Sequence, residues 1–305
     1  LRSPTRPVGA EPQPLERRLG VDYETDWARR YPVRLARAMV LDNVTRPALR
    51  LASSPTTYGL EHLEALDGPV IVAANHASHL DTALLLSCLP VNIRHHCVVA
   101  AAADYFFDKR LKALASASIL GAIPMERTRV NRQSADIAAG LIDDGWSLVI
   151  FPEGGRSNDG WGQEFKGGAA YLAKRCHVPV VPVHMRGTRA ILAKGKSTLR
   201  PGSTEVRFGD ALWPTESEDA RRFAARIEKA VALLADEAET DWWSARRRAA
   251  EDASPPFRGP DASPWRRAWS LPASADPTGR RRLSIDSPTS PTRKKDGGAR
   301  GWPLD

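Results

Sequence analysis

Between residues 70 and 184 the apolar positions fall into short dense runs, separated by stretches of helical periodicity. Val70-Ile71-Val72-Ala73-Ala74 is an unbroken run of strand length, the pattern of a strand covered on both faces. His96-Cys97-Val98-Val99-Ala100-Ala101, Ser147-Leu148-Val149-Ile150-Phe151 and the segment 178–184 read the same way, with a shorter strand at 121–125. Between these runs the spacing predicts a helix beginning near Asp81 and others over 104–118, 131–144 and 167–176. In the segment 131–144, Ile137, Leu141 and Ile142 share a face and Gly145 follows its end. A long helix over 217–240, capped by Thr215 or Ser217, closes the series. Strands alternating with helices predict an α/β fold with a mostly parallel sheet flanked by helices.

A different pattern precedes the first strand. Trp27, Tyr31, Leu35 and Met39 recur at every fourth position, and Arg30, Arg34 and Arg37 occupy the neighbouring face. This predicts an amphipathic helical segment within 22–52, with Pro47 interrupting or ending it. Such a helix can lie among lipid headgroups, or it can be an ordinary surface helix packed on the body. No apolar run reaches 18 residues, so no bilayer-spanning helix is expected.

The two ends break the periodicity. Residues 1–21 carry Pro4, Pro7, Pro12 and Pro14, and residues 251–305 hold nine of the 24 prolines beside Arg280-Arg281-Arg282 and Arg293-Lys294-Lys295. Both are expected to be disordered. The ordered body is then 22–250, with a core over 69–210 and a closing helix within 215–245. A hydrophobic fraction of 42% is enough for one such domain. The net charge of +8 points to an anionic surface or substrate. No nucleic-acid motif or aromatic-basic alternation is present, so no nucleic-acid partner is expected. Cys88, Cys97 and Cys176 sit among apolar neighbours without metal-ligand spacing, as reduced thiols of a cytosolic protein would.

The candidate chemistry lies where the first run ends. Asn75-His76-Ala77-Ser78-His79-Leu80-Asp81 sets an imidazole and a carboxylate five residues apart at the mouth of the expected sheet. His76 could take a proton from a hydroxyl while Asp81 fixes its tautomer. Arg127 ends a short strand, and Phe151-Pro152-Glu153-Gly154-Gly155-Arg156-Ser157 follows another. Arginine forks and close-approaching glycine backbone suit a phosphate, so the set describes an alcohol bearing a phosphate. Two other readings remain open on these residues. His76, His79 and Asp81, with His95 and His96, could hold the metal of a hydrolase. The chain could also be a non-catalytic membrane-surface protein. No Gly-x-Ser-x-Gly elbow marks a serine hydrolase.

Asn-His-x4-Asp at 75–81, Gly-x-Ile-x3-Arg at 121–127, Phe-Pro-Glu-Gly-x-Arg-Ser at 151–157 and Val-Pro-Val-Val-Pro-Val at 178–183 stand in order along the chain. Together they resemble the four blocks of the glycerolphosphate acyltransferase family, most closely its bacterial 1-acylglycerol-3-phosphate acyltransferases. Phe165, Lys166 and Gly168 also fit that pattern, whereas Gly155 stands where the family usually has threonine. The resemblance implies an acyltransferase domain over 22–250 and transfer of a fatty acyl chain from acyl-CoA or acyl carrier protein to a lysophospholipid hydroxyl. The acceptor it implies is 1-acylglycerol-3-phosphate, giving phosphatidic acid, with another lipid alcohol as the alternative. It makes His76 the general base and Asp81 its orienting partner. Arg127, Glu153, Arg156 and Lys166 would bind substrate, and the backbone at Gly154 would steady the oxyanion. His79 is a neighbour. It implies no metal and no cofactor, an anionic membrane surface as partner, and peripheral residence at the cytoplasmic face of the plasma membrane.

Overall fold

The computed structural model describes residues 20, 22–126, 132–192 and 198–271. Its centre is a seven-stranded sheet in the order β1-β7-β6-β2-β5-β3-β4. The strands are β1 Pro55–Tyr58, β2 Ile71–Ala74, β3 Cys97–Ala102, β4 Ala122–Met125, β5 Ser147–Ile150, β6 Val180–Arg186 and β7 Thr204–Phe208. Each neighbouring pair is parallel except β6 with β7. The main helices are α1 Tyr31–Val40, α2 Arg46–Ser53, α3 Asp81–Cys88, α4 Arg110–Leu120, α5 Arg132–Asp143, α6 Gly168–Cys176, α7 Ala220–Glu239, α8 Trp242–Ala250 and α9 Pro264–Trp269. The α/β class and the mostly parallel sheet are as the sequence predicts.

Strand β2 shows why. Its alternate residues serve two cores, so every position must be apolar. Ile71 and Ala73 join Leu148, Ile150 and Val180 beneath α5, α6 and α7. Val72 and Ala74 join Val149, Val181 and Val183 against the α3 leucines Leu84, Leu85 and Leu86. Burial on both faces fixes the register, which pairs Ala73 with Ile150 on β5 and with Pro182 on β6.

Several expectations need correction. The expected helix over 104–118 is broken, because Phe107 turns inward to pack with Ala101, Ala113 and Ala122. A short helix, Ala103–Phe106, precedes it and α4 follows. The cap of α7 is Asp219, which accepts the Arg222 N–H at 2.7 Å, not Thr215 or Ser217. Of the two outcomes expected at Pro47, interruption or end, the helix is interrupted. The ladder loosens into a π-turn at Leu41–Thr45, and α2 resumes with Pro47 in its first turn.

The N-terminal helix is not a surface helix packed by its apolar face, the second of the two readings of its sequence. Arg37 is buried against Gly121, and Arg34 bonds the His96 ring at 3.1 Å and lies 4.9 Å from the Trp146 ring centroid. Burial of Arg37 and the Arg34–His96 bond seat the arginine side of α1 on the body, which turns Tyr31, Leu35 and Met39 outward. Val44 and Leu51 continue this exposed apolar ridge. The adjacent α4 adds Leu111, Leu114 and Ile119, also exposed. No helix among the described residues is long and apolar enough to cross a membrane.

The expected disorder of 1–21 lies outside the described residues apart from Gly20. The tail expected to be disordered from 251 is structured as far as Leu271, which is buried. Phe257 packs edge-on against Phe165 at 5.7 Å, and Arg267 pairs with Asp159, which supplies the anchoring that composition does not reveal.

Candidate active site

Strands β2 and β5 run side by side and end together, so three residues past the Ala73–Ile150 pair His76 meets Glu153. The His76 N–H donates to Glu153 Oε1 at 2.7 Å, and the Ser157 N–H donates to the His76 carbonyl at 2.9 Å. The two loops thus hold the histidine backbone from both sides. Its ring stacks on Phe151, with centroids 4.2 Å apart.

Asp81 is 1% exposed and begins α3, whose dipole favours a negative charge there. Its Oδ2 accepts His76 Nδ1 at 2.9 Å and the backbone N–H groups of Ala77 and Ser78, each at 2.7 Å. An oxygen already receiving two N–H groups can only be an acceptor for the ring, so the hydrogen sits on Nδ1. That leaves Nε2 as a lone-pair base, and His76 lines a cavity of about 550 Å³.

The cavity runs from this polar turn into an apolar interior. Val99, Ala101, Leu120, Met125, Ile150 and Ala169 line its depth, and Arg156, His79 and Lys166 its polar end. Arg156 bonds the His79 ring and lies 5.6 Å from the Tyr105 ring centroid. Burial and the nearby guanidinium of Arg156 push His79 below its ordinary value. Lys112 sits 3.7 Å from the same Tyr105 centroid, bringing a further cation to that end. Neither Tyr105 nor Lys112 carries a motif signal, and only their helices' placement reveals them.

The other expected site residues divide. Lys166 lines the cavity and lies across Gly154, where an added Cβ would come within 2.6 Å of its amine. Gly154 also has φ +71°, so this turn needs glycine on both counts. Its N–H, however, donates to the Phe151 carbonyl at 3.0 Å and is spent on the turn rather than open to an oxyanion. Arg127 lies outside the described residues, although Met125 and Glu126 just before it line the cavity.

Glu153 lies behind the cavity. It is 4% exposed and absent from the cavity wall, and its second oxygen accepts the Gln163 N–H at 3.0 Å. Both oxygens of Glu153 are thus engaged by loop backbone donors, and it shapes the loop. Burial pushes its carboxyl up to about 8, against the pull of the two backbone donors. The raised value means its contribution to stability is complete below its ordinary range and is lost as pH rises through about 8. Thermal melts across pH should show that decline, and Glu153→Gln should flatten it. Glu153→Ala should cost about 1–3 kcal/mol for each donor left unpaired and lower kcat without raising the acceptor KM.

The metal reading loses its extra ligands. His95 and His96 precede β3, at the opposite end of the sheet from His76, where they contact Asp42 and Arg34.

The acyltransferase family matches residues 54–186, a stretch that holds all four motif blocks. A 1-acyl-sn-glycerol-3-phosphate acyltransferase alpha from Ovis aries is 27% identical over 69% of this chain and 75% of its own length. The chloroplastic BAT2 enzyme of the same name from Brassica napus is 32% identical over 52% of this chain and 45% of its own length. The Caenorhabditis elegans relative acl-2 is 31% identical, with 56% of its length matched. The chain therefore spans about half the length of the plant and nematode relatives. The crystal structure of the LPA acyltransferase PlsC from Thermotoga maritima superimposes with a TM-score of 0.56 over 72% of this chain and 88% of that one. At 24% identity that likeness concerns the fold.

Proposed function

We propose that this chain, an O-acyltransferase carrying a domain of the acyltransferase family at residues 54–186, acylates 1-acylglycerol-3-phosphate to phosphatidic acid. The relatives bearing that substrate in their names support the acceptor. The observation that carries the reading is His76, held by Asp81, at the polar end of a largely apolar cavity.

The chemistry follows from those positions. His76 Nε2 takes the proton of the acceptor hydroxyl as the alkoxide attacks the thioester carbonyl. Asp81 steadies the imidazolium. The tetrahedral intermediate collapses, the C–S bond breaks, and the leaving thiolate takes the proton back from His76. The thioester is already activated, so no covalent enzyme intermediate is required. The apolar interior suits an alkyl chain, while Arg156 and Lys166 supply positive charge for the acceptor phosphate; the family resemblance adds Arg127, which lies outside the described residues. The test is radiolabelled acyl-CoA and acyl carrier protein against a panel of lysolipid acceptors. Transfer to lysophosphatidic acid is expected to dominate, and transfer only to acceptors lacking the phosphomonoester would overturn the assignment.

The acceptor is a lipid, and the exposed ridge of α1, α2 and α4 supports peripheral contact with an anionic membrane. The plasma membrane's cytoplasmic face is the matching location, since acyl thioesters are made in the cytosol. Arg34 is engaged within the body, so the decisive residues are apolar. Replacing Tyr31, Leu35 and Met39 together by Ser should sharply reduce co-sedimentation with phosphatidylserine vesicles. Undiminished co-sedimentation of the triple variant would count against the ridge.

A further inference from the structure

The loop after β5 carries Arg156 and grips His76, yet little of its own sequence makes it stiff. Gly154 and Gly155 stand in succession, and glycine leaves the backbone more freedom than any other residue. Packing behind the catalytic turn is also incomplete. Asn75 and Ala77 face a second cavity of about 410 Å³, roofed in part by Pro255, Pro256 and Phe257. Something outside the motif must fix the loop.

We infer that residues 257–271 form a strap that positions this loop, with Arg267 as its central positioning residue. Arg267 Nε donates to Asp159 Oδ2 at 2.8 Å, while the Arg267 carbonyl accepts the Trp161 indole N–H at 2.9 Å. The two partners sit on one turn, because Asp159 Oδ1 accepts the Trp161 N–H at 3.1 Å. Ser157 Oγ reaches the same Asp159 oxygen at 3.4 Å and accepts the Gly160 N–H at 2.7 Å. The Ser157 N–H then ends the series on the His76 carbonyl. A continuous line of bonds therefore joins Arg267 to the catalytic backbone.

The strap is fitted to the loop on both sides. The Gly162 N–H donates to the Phe257 carbonyl at 3.2 Å, and a side chain at Gly162 would strike the Phe257 ring. A side chain at Gly259 would strike the Trp161 indole. Arg258 anchors the strap to Glu228 on α7 at 2.8 Å, and Glu228 also accepts the Phe165 N–H at 2.9 Å. Contacts made by the strap thus bracket the loop at both its ends. A loop held this way keeps Arg156 and the His76 turn aligned for reaction, where small misplacements cost large factors in rate.

The strap's effect on turnover rests on the acyl-transfer reading, but its effect on the loop can be measured without it. Hydrogen exchange of full-length Arg267→Ala should speed up about tenfold in peptides covering 75–80 and 151–163, with β2 and β3 amides unchanged. In the acyl-transfer assay kcat should fall about tenfold, with the thioester KM held and Arg267→Lys restoring part of the loss. Asp159→Asn should add little to Arg267→Ala, since both break one link. Unchanged exchange at 75–80, or a uniform increase across the chain, overturns the strap. If the wild-type chain transfers no acyl group, the exchange result still judges the strap while the functional reading falls.

Discussion

His76→Ala is expected to lower single-turnover acyl transfer by about 10²–10⁴-fold, the range for losing a positioned general base. The ring contributes a stack on Phe151 and one bond to Asp81, while the backbone bonds to Glu153 and Ser157 survive the substitution. The fold should therefore stay cooperative in thermal melts, and acceptor binding should change far less than turnover. Wild-type turnover in this variant would remove the imidazole from the mechanism.

Asp81→Asn is expected to do comparable damage for a different reason. Asp81 Oδ1 is buried with no hydrogen-bond partner among the described residues, whereas Oδ2 accepts three donors. An asparagine can keep its oxygen in the Oδ2 position, so the geometry of the turn persists. Its NH2 is then buried where Oδ1 was, at a cost of about 1–3 kcal/mol in stability. The negative charge that would steady the imidazolium is gone. Turnover should fall by about 10²–10⁴-fold with a near-native acceptor KM. Little loss of turnover in a folded Asp81→Asn protein would show that the carboxylate only shapes the turn.

The central strands were legible because burial on both faces forces unbroken apolar runs, as in Ile71–Ala74. The His76–Asp81 pairing was legible because its partners are five residues apart on one turn. Strand β1 at the sheet edge and its neighbour β7 escaped, since Pro55–Tyr58 and Thr204–Phe208 are short and alternate in burial and leave no such run. The inward turn of Arg34 and Arg37 was hidden because periodicity groups residues by face without saying which face is covered. His96, Trp146 and Gly121, all distant in sequence, decide that. The backbone contacts of Glu153 were hidden for a similar reason, because they depend on a neighbouring strand's register. The Asp159–Arg267 link spans 108 positions, and such contacts leave no local spacing to read.

The riveted seating of α1 has a consequence for how the molecule divides between water and lipid. A hinged amphipathic arm could fold its apolar side away when no bilayer is near, giving separate closed and open forms. Here Arg37 is buried and Arg34 bonds the His96 ring, so the arginine side faces the body and the apolar side has no cover to return to. If the proposed membrane contact holds, the protein is expected to partition as a single rigid amphiphile with one partition coefficient. Its surface density on lipid vesicles is then expected to rise smoothly with lipid area, without a threshold, and detergent is expected to cover the same ridge in lipid-free solution.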